Sequence, residues 1–390
     1  MILSNAANQR RYDLTCLAAD GLVKRLPGHV LFSAVIRVIW SLICIFSLST
    51  SKGQHILSVG VAGLKHDHVI GLMDQYRQGK VLILGIAESD TALVEKYKKK
   101  YILPDSLFYR TLDEMLGHIK PDAVLAYNPI SEHLSVVEAC APKGVSVMVE
   151  KPLAVSQAQC QKMQELVSRY HIHLLTNYET TWYPTNQAAY TLVNDAHAIG
   201  LVRKMVVHDG HQGPKEIGCS PDFLRWLTDP EKNGAGALMD FGCYGANLMT
   251  WLMGGKAPIA VTAITRHYKP AIYPNVDDDA TIVLEYPDAT GIIEASWNWP
   301  FGIKDWEIFG DQKYLHVLNS QTLIEREGNT ITNLPAPRPA YSDNLSYLAD
   351  VLDGKVQPGN DLSSLSNNLI VVTILEAARQ SAREGKRIIL

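Results

Sequence analysis

The chain has 390 residues, 47% of them hydrophobic and 19% charged, with a formal net charge of −4. That composition excludes a disordered or fibrous protein, and the mild acidity gives no footing for a nucleic-acid-binding surface. The six cysteines are too sparse for a disulfide scaffold, and the length suits two or three domains.

The first feature is the apolar run Val38–Leu48. It is too short for a bilayer span, which needs about 20 residues, and it matches a signal-peptide core of about 7–15. Arg37 supplies the positive flank, and Ser49-Thr50-Ser51 supplies small residues for cleavage. Residues 1–51 are therefore expected to be a leader. Residues 1–34, with Asp13 and Asp20, make a poor start to one and fit a start codon placed too far upstream, with translation from Val35. The expected location is outside the cytosol, in the periplasm, with no stable membrane insertion once the leader is removed. The alternative is a protein anchored in the membrane by an uncleaved leader. The first 51 residues hold five Lys/Arg and two Asp, so the remainder carries 31 basic against 38 acidic residues, a net charge of −7. That disfavours nucleic acid further. Cys140, Cys160, Cys219 and Cys243 remain; the first two fall in helix-like segments as free buried thiols, and no Cys/His spacing suits zinc. No metal is expected.

From Ile56 the pattern alternates. Strands are expected at Ile56–Val61, Val81–Ala87, Ala123–Tyr127 and Val145–Val149, with helices at His66–Tyr76, Asp90–Lys100 and Ser131–Ala141 between them. This alternation indicates a doubly wound parallel sheet, a Rossmann domain over 52–152. A helix at Ser156–Tyr170, a short strand at His173–Thr176 and a helix at Thr185–Asp195 follow. Then strands dominate: Val202–His208, Ala260–His267, Thr281–Glu285, Gly291–Trp297 and Lys313–Val317, before a helical tail at Tyr341–Leu352 and Leu362–Glu384. Residues 153–390 thus read as an α+β domain with a large, mainly antiparallel, open-faced sheet. The fold class is α/β.

The first strand runs into Gly60-Val-Ala-Gly63-Leu-Lys-His-Asp-His68, placed where a strand-to-helix turn binds a diphosphate. The Gly-x-Gly-x-x-Gly fingerprint is broken: counting from Gly63, Lys65 holds the second glycine position and His68 the third. Gly63, Leu64, Lys65 and His66 are the candidate phosphate-binding residues, with Lys65 substituting by charge. The Lys-His-Asp-His run is not read as a metal site, because adjacent residues on a helix point in different directions. Glu88, at the end of the second strand, suits two ribose hydroxyls and would repel a 2′-phosphate, so NAD is expected before NADP.

Later strand ends carry Tyr127-Asn-Pro-Ile-Ser-Glu-His133 and Val149-Glu-Lys-Pro-Leu153, and farther on comes Gly234-Ala-Gly-Ala-Leu-Met-Asp240-Phe-Gly-Cys-Tyr244 before the apolar Leu248–Leu252. Glu-Lys-Pro at a strand end, Asn-Pro and His upstream, and Asp-x-Gly-x-Tyr after a small-residue run together resemble the Gfo/Idh/MocA oxidoreductases, over about residues 55–390. The resemblance implies hydride transfer between a sugar or sugar derivative and a nicotinamide cofactor, with NAD held tightly in an exported protein. It implies Asn128, Pro129, His133, Glu150 and Lys151 beside the cofactor, and Lys151, Asp240 and Tyr244 as the catalytic set. Asp240 and Tyr244, four apart, would share a helix face, and the Lys151 ammonium would make the Tyr244 hydroxyl more acidic. Tyr178, Trp182, His211 and Asp240 are the candidate sugar contacts, by aromatic stacking and hydrogen bonding. The resemblance also implies a homo-oligomer, dimer or tetramer. Two alternatives stay open: an NAD-dependent glycosidase working by transient C3 oxidation and elimination, and a non-catalytic sugar-binding relict, for which the altered glycine turn is the only support.

Overall fold

The computed structural model describes residues 56–390, so the leader expected at 1–51 and the start at Val35 lie outside the described residues. The chain alternates β1 (Ser58–Ala62), α1 (Val69–Arg77), β2 (Leu82–Ala87), α2 (Thr91–Tyr101), β3 (Phe108–Tyr109), α3 (Leu112–His118), β4 (Ala123–Ala126), α4 (His133–Cys140), β5 (Ser146–Glu150), α5 (Gln157–Tyr170) and β6 (Leu174–Asn177). The six strands form one parallel sheet in the order β3-β2-β1-β4-β5-β6. β4 and β5 are buried along their whole length, as strands covered on both faces must be. Side chains close the helix starts: Asp90 accepts from the amides of Ala92 and Leu93, Thr111 from Glu114, and Ser156 from Gln159. Strand order reverses between β1 and β4, which opens a crevice beyond their C-terminal ends where such sheets bind ligands.

This sheet does not stop at residue 152. β6 pairs with β5 beyond it, and a helix from the far end of the chain completes the core. That helix, one of the two in the tail, buries Leu345, Tyr347, Leu348 and Val351 against Leu72, Met73, Tyr127 and Met148. An apolar stripe near the C-terminus thus covers a flank of the first sheet, and no single cut in the sequence separates the two layers.

The second region comprises α6 (Pro184–Tyr190), β7 (Val202–Gly210), α7 (Pro221–Leu227), α8 (Pro230–Asn233), α9 (Ala237–Asp240), α10 (Gly242–Leu252), β8 (Ala260–Arg266), β9 (Asp279–Glu285), β10 (Thr290–Ser296), β11 (Ile303–Gly310), β12 (Tyr314–Val317), β13 (Thr322–Glu327), β14 (Thr330–Pro335), α11 (Asn344–Leu352), α12 (Leu365–Glu384) and β15 (Ile388–Ile389). Nine strands pair in the order β14-β13-β12-β11-β7-β10-β9-β8-β15. β7 and β10 run parallel, and the other pairs are antiparallel. β11 escaped the sequence pattern because Lys304, Asp305 and Glu307 interrupt its apolar residues. Every residue of α10 is buried, and Gly245 lets it lie close on β10: a Cβ there would stand 2.7 Å from Ile293. Met205 and Val207 on β7, and Trp306 and Ile308 on β11, face this covered side. The intervening residues, including His208, Asp305 and Glu307, lie on the other face. Among the described residues no helix is long and apolar enough to cross a membrane.

Candidate active site

β5 ends at Glu150, which delivers Lys151 to the crevice. The Lys151 Nζ donates to Asp240 Oδ1 at 2.5 Å and to the Asp240 carbonyl at 2.9 Å. Both residues are buried, at 6% and 7% exposure. Asp240 and Tyr244 do not share one continuous helix, as their spacing had suggested. Asp240 closes α9, Phe241 intervenes with φ −108°, and Tyr244 lies in α10. The break has a chemical consequence. In an unbroken helix the Asp240 carbonyl would accept the Tyr244 amide. Here that amide donates to Phe241, and the Asp240 carbonyl is left for Lys151. The carboxylate of Asp277 fixes the start of α9 by accepting the amides of Gly236 and Leu238. The second oxygen of Asp240 accepts from the Trp297 indole at 3.0 Å.

Burial works against both charges of this pair. It would raise the Asp240 carboxyl, but Lys151 and then the hydrogen bonds hold it below the usual carboxylate range. It would lower the Lys151 ammonium, but Asp240 outweighs it and the amine stays charged. Removing one partner from such a pair strands the other.

Tyr244 is 2% exposed, and its ring lies 5.0 Å from the Lys151 Nζ. The expected increase in its acidity does not occur. Burial, followed by the nearby Asp209 and Glu179, pushes the phenol well above its usual range. The group beside its hydroxyl is instead Lys304 on β11, whose Nζ stands 3.4 Å away. Tyr244 is therefore held as a neutral phenol, a group suited to giving a proton rather than acting as a phenolate base.

The glycine turn differs more from expectation. Gly63 adopts φ +81°, and a Cβ there would lie 2.9 Å from the Asn128 side chain, so glycine is required by the approach of the β4 loop. The turn's amides are engaged within the fold: Gly63 donates to the Ala87 carbonyl, Leu64 to Glu88 Oε2 and His66 to the Tyr127 carbonyl. Leu64 is a core side chain, 2% exposed. The His66 ring packs on Phe223 and Trp226 of α7, with centroids 4.7 and 5.4 Å away. Leu64 and His66 therefore do not face the cofactor crevice: the hydrophobic effect takes one inward, and docking of α7 takes the other. Trp226 also donates to the Lys65 carbonyl, and the Ser220 amide donates to Asp67.

Gly63, Lys65, Glu88 and Asn128 do line a cavity of about 280 Å³, together with Arg110 and Ser135. Both oxygens of Glu88 already accept backbone amides, from Leu64 and Asp90. Pro129 and His133 are buried beside this cavity rather than in its lining. The His133 Nδ1 bonds the Leu153 carbonyl, and burial lowers its pKa to about 4. Asn128 Oδ1 and His133 Nε2 are buried with no partner, as acceptors facing a donor-bearing ligand would be. The residues present fit an adenosine diphosphate group held by Lys65, Asn128 and Arg110. They fit it without the free amide nest of an intact glycine fingerprint.

A second cavity, of about 580 Å³, is lined by His68, Glu150, Asn177, Glu179, Trp182 and Asp343, among others. Trp182 faces it and donates to Asn177, which donates to Glu150. His68 bonds the other Glu150 oxygen at 2.9 Å. Ligand atoms of His66, His68 and Glu150 come within 4.8 Å of one another, because residues 66–68 form a turn before α1 rather than helix. Both Glu150 oxygens and the His66 Nδ1 are nevertheless engaged in hydrogen bonds. Tyr178 is fully buried with its ring edge-on to Tyr244 at 5.5 Å, so it supports that tyrosine rather than reaching a sugar. His211 lies edge-on to Phe241 at 4.9 Å, and burial lowers its pKa, leaving it neutral. Sequence reasoning missed Lys304 and Arg110, which lie outside every quoted motif.

The first layer matches, over residues 55–178, the sequence family described as oxidoreductase family, NAD-binding Rossmann fold; residues 187–316 match the GFO/IDH/MocA C-terminal domain. The chain belongs to the Gfo/Idh/MocA oxidoreductase family. It is similar to trans-1,2-dihydrobenzene-1,2-diol dehydrogenase of Xenopus laevis, at 25% identity over 206 residues, covering 52% of this chain. That match spans only 57% of the relative's length. The human protein of the same name is 21% identical over 77% of this chain and 88% of its own. Among solved structures, the aldose-aldose oxidoreductase of Caulobacter crescentus complexed with glycerol superposes with a TM-score of 0.73 at 23% identity, covering 86% of this chain and 100% of that one. The WlbA dehydrogenase of Bordetella pertussis, in complex with NADH and UDP-GlcNAcA, gives 0.70 at 19% identity, covering 86% and 99%. At these identities the Gfo/Idh/MocA likeness of the solved structures concerns the fold.

Proposed function

We propose that this chain interconverts an alcohol and a carbonyl on a sugar or sugar derivative, using NAD in preference to NADP and keeping the nucleotide bound through turnover. The observation that carries the reading is the buried Lys151–Asp240 pair set beside the Tyr244 phenol. A bound nicotinamide supplies the hydride donor or acceptor at this place. The chain's own groups manage the oxygen. Lys151, fixed by Asp240, presents an ammonium that stabilises charge developing on the substrate oxygen. Tyr244 carries the proton given to that oxygen in reduction. Trp297 and Phe241 limit water around the pair. The buried carboxylate of Glu88 disfavours a 2′-phosphate, and Arg110 lines the same cavity. The polar cavity with Trp182, Asn177 and Glu179 suits a polyol. Glycerol in the Caulobacter structure and a nucleotide sugar in WlbA accord with that class.

The test is the ultraviolet spectrum of the purified protein before and after candidate sugars are added. Nicotinamide that co-purifies and is reduced by a sugar supports the reading. A protein that neither carries nor binds a nicotinamide nucleotide would overturn it, and release of an aglycone without net reduction would point to the glycosidase. Export rests on the Val38–Leu48 run, and mass spectrometry of the mature N-terminus decides it; a retained leader refutes it. Self-association through the open sheet face is proposed on the half-buried side chains there, Val206, Val283 and Ile292, and sedimentation as a monomer would count against it.

A further inference from the structure

Tyr244 is sealed from water, yet the proposed chemistry needs its proton replaced on every reductive turnover. The covered face of the large sheet provides a route. Lys304 and Asp209 are register partners on β11 and β7, on the side that meets α10. The Lys304 Nζ stands 3.4 Å from the Tyr244 hydroxyl and 4.5 Å from its ring centroid. The same ammonium bonds Glu179 Oε2 at 2.5 Å, and the Glu179 side chain is 54% exposed. Glu179 also lines the larger cavity and accepts from the Tyr183 hydroxyl. A chain of polar groups thus runs from a buried phenol to solvent through one lysine.

Asp209 completes the surroundings. It is 2% exposed, and its Oδ1 has no partner. Burial pushes its carboxyl well up against the pull of Lys304 and Lys151, and the Lys304 ammonium bonds Glu179 instead. Glu179 behaves oppositely: burial would raise it, but Lys304 and its hydrogen bonds hold it low.

We propose that Lys304 and Glu179 form a proton relay that recharges Tyr244 from solvent, with Lys304 as the positioning residue for the phenol. The proposal rests on the redox reading above. In reduction, the substrate carbonyl carbon gains a hydride from the reduced nicotinamide, and its oxygen gains the Tyr244 proton. The resulting phenolate takes a proton from the Lys304 ammonium. The neutral amine then takes one from solvent through Glu179. Carbonyl, reduced nucleotide and one solvent proton give alcohol and oxidised nucleotide, and oxidation runs the same steps backwards.

The experiment compares wild type, Lys304→Met, Lys304→Arg and Glu179→Gln. It measures kcat and KM against pH, nucleotide affinity by fluorescence titration, and the ¹³Cζ resonance of Tyr244 in tyrosine-labelled protein, assigned with Tyr244→Phe. Lys304→Met is expected to lower kcat about 100-fold, within the range for a lost proton transfer, with nucleotide affinity unchanged. Added ethylamine should restore part of the rate, and Glu179→Gln should change the pH profile of kcat, in addition to any rise in KM from its place in the larger cavity. The Tyr244 resonance should shift in Lys304→Met and less in Lys304→Arg. Wild-type kcat and pH profile in Lys304→Met, or an unmoved resonance in a folded variant, would overturn the relay. A wild type that binds nucleotide but converts no sugar, while Lys304→Met still shifts the resonance, refutes the redox reading and leaves the lysine–phenol coupling supported.

Discussion

Consecutive residues of β11 serve opposite sides of one sheet. Lys304 faces α10 and the Tyr244 hydroxyl; Asp305 faces the open side, between His208 at 2.7 Å and His316 at 3.2 Å. Each β11 residue has a register partner on β7, Asp209 for Lys304 and His208 for Asp305. The two aspartates therefore sit on neighbouring strands, one residue out of register and on opposite faces, and are shifted in opposite directions. Asp209, buried without a partner, is pushed well up. Asp305 would also be raised by its burial, but hydrogen bonds from two histidines pull it down to about 2. The type of residue decides little; what decides is whether a donor reaches the carboxylate before the apolar surroundings neutralise it.

The strongest way to break the contrast is on the covered side. Lys151→Met should abolish turnover, by about a thousandfold or more, and leave the Asp240 charge buried and alone. The loss of stability should be about 3–5 kcal/mol, read as a fall in the chemical-denaturation midpoint. Tyr244→Phe should cost about 100-fold in kcat while nucleotide titration stays unchanged; a rate within twofold of wild type would remove Tyr244 from the chemistry. The aspartates sharpen the point. Asp240→Asn should destabilise the fold by several kcal/mol because it strands Lys151. Asp209→Asn keeps the shape of a side chain whose carboxyl burial already pushes toward its neutral form, and should change stability by less than about 1 kcal/mol.

The smallest effect is on the open face. The depressed Asp305 contributes stability that is complete above the ordinary carboxyl value of about 3.9 and lost as pH falls through about 2. His208 is raised, chiefly by its bond to Asp305. Its contribution is complete below about 6.5 and fades as pH rises through its shifted value. Both act together between about pH 4 and 6.5. In that window Asp305→Asn should lower stability by about 1 kcal/mol or less, as suits half-exposed charges. The difference from wild type should vanish in strong acid, and a difference that persists there would contradict the assignment.

Much of the architecture was legible in the chain. Apolar runs such as Ala123–Ala126 and Val147–Val149, separated by amphipathic stretches, read as strands covered on both faces. Lys151, Asp240 and Tyr244 stood out because they lie in the Glu-Lys-Pro and Asp-x-Gly-x-Tyr patterns. The charged strand β11 was not legible, since its outward charges mask its inward Trp306 and Ile308. The helix expected at Tyr341–Leu352 forms over Asn344–Leu352, but its place over the first sheet was not legible, since an apolar stripe does not state its partner.

Local pattern by itself therefore determined the two sheets and the family and singled out Lys151, Asp240 and Tyr244, which the fold brings together, because periodicity and motif order are properties of neighbouring residues. Only the tertiary structure decided what each charged group is. It turned His66 and Leu64 inward, broke the helix so that the Asp240 carbonyl could hold Lys151, and set Lys304 beside a phenol sixty positions away. Protonation depends on burial and on the nearest opposite charge or donor, and those are supplied by segments far apart in the chain.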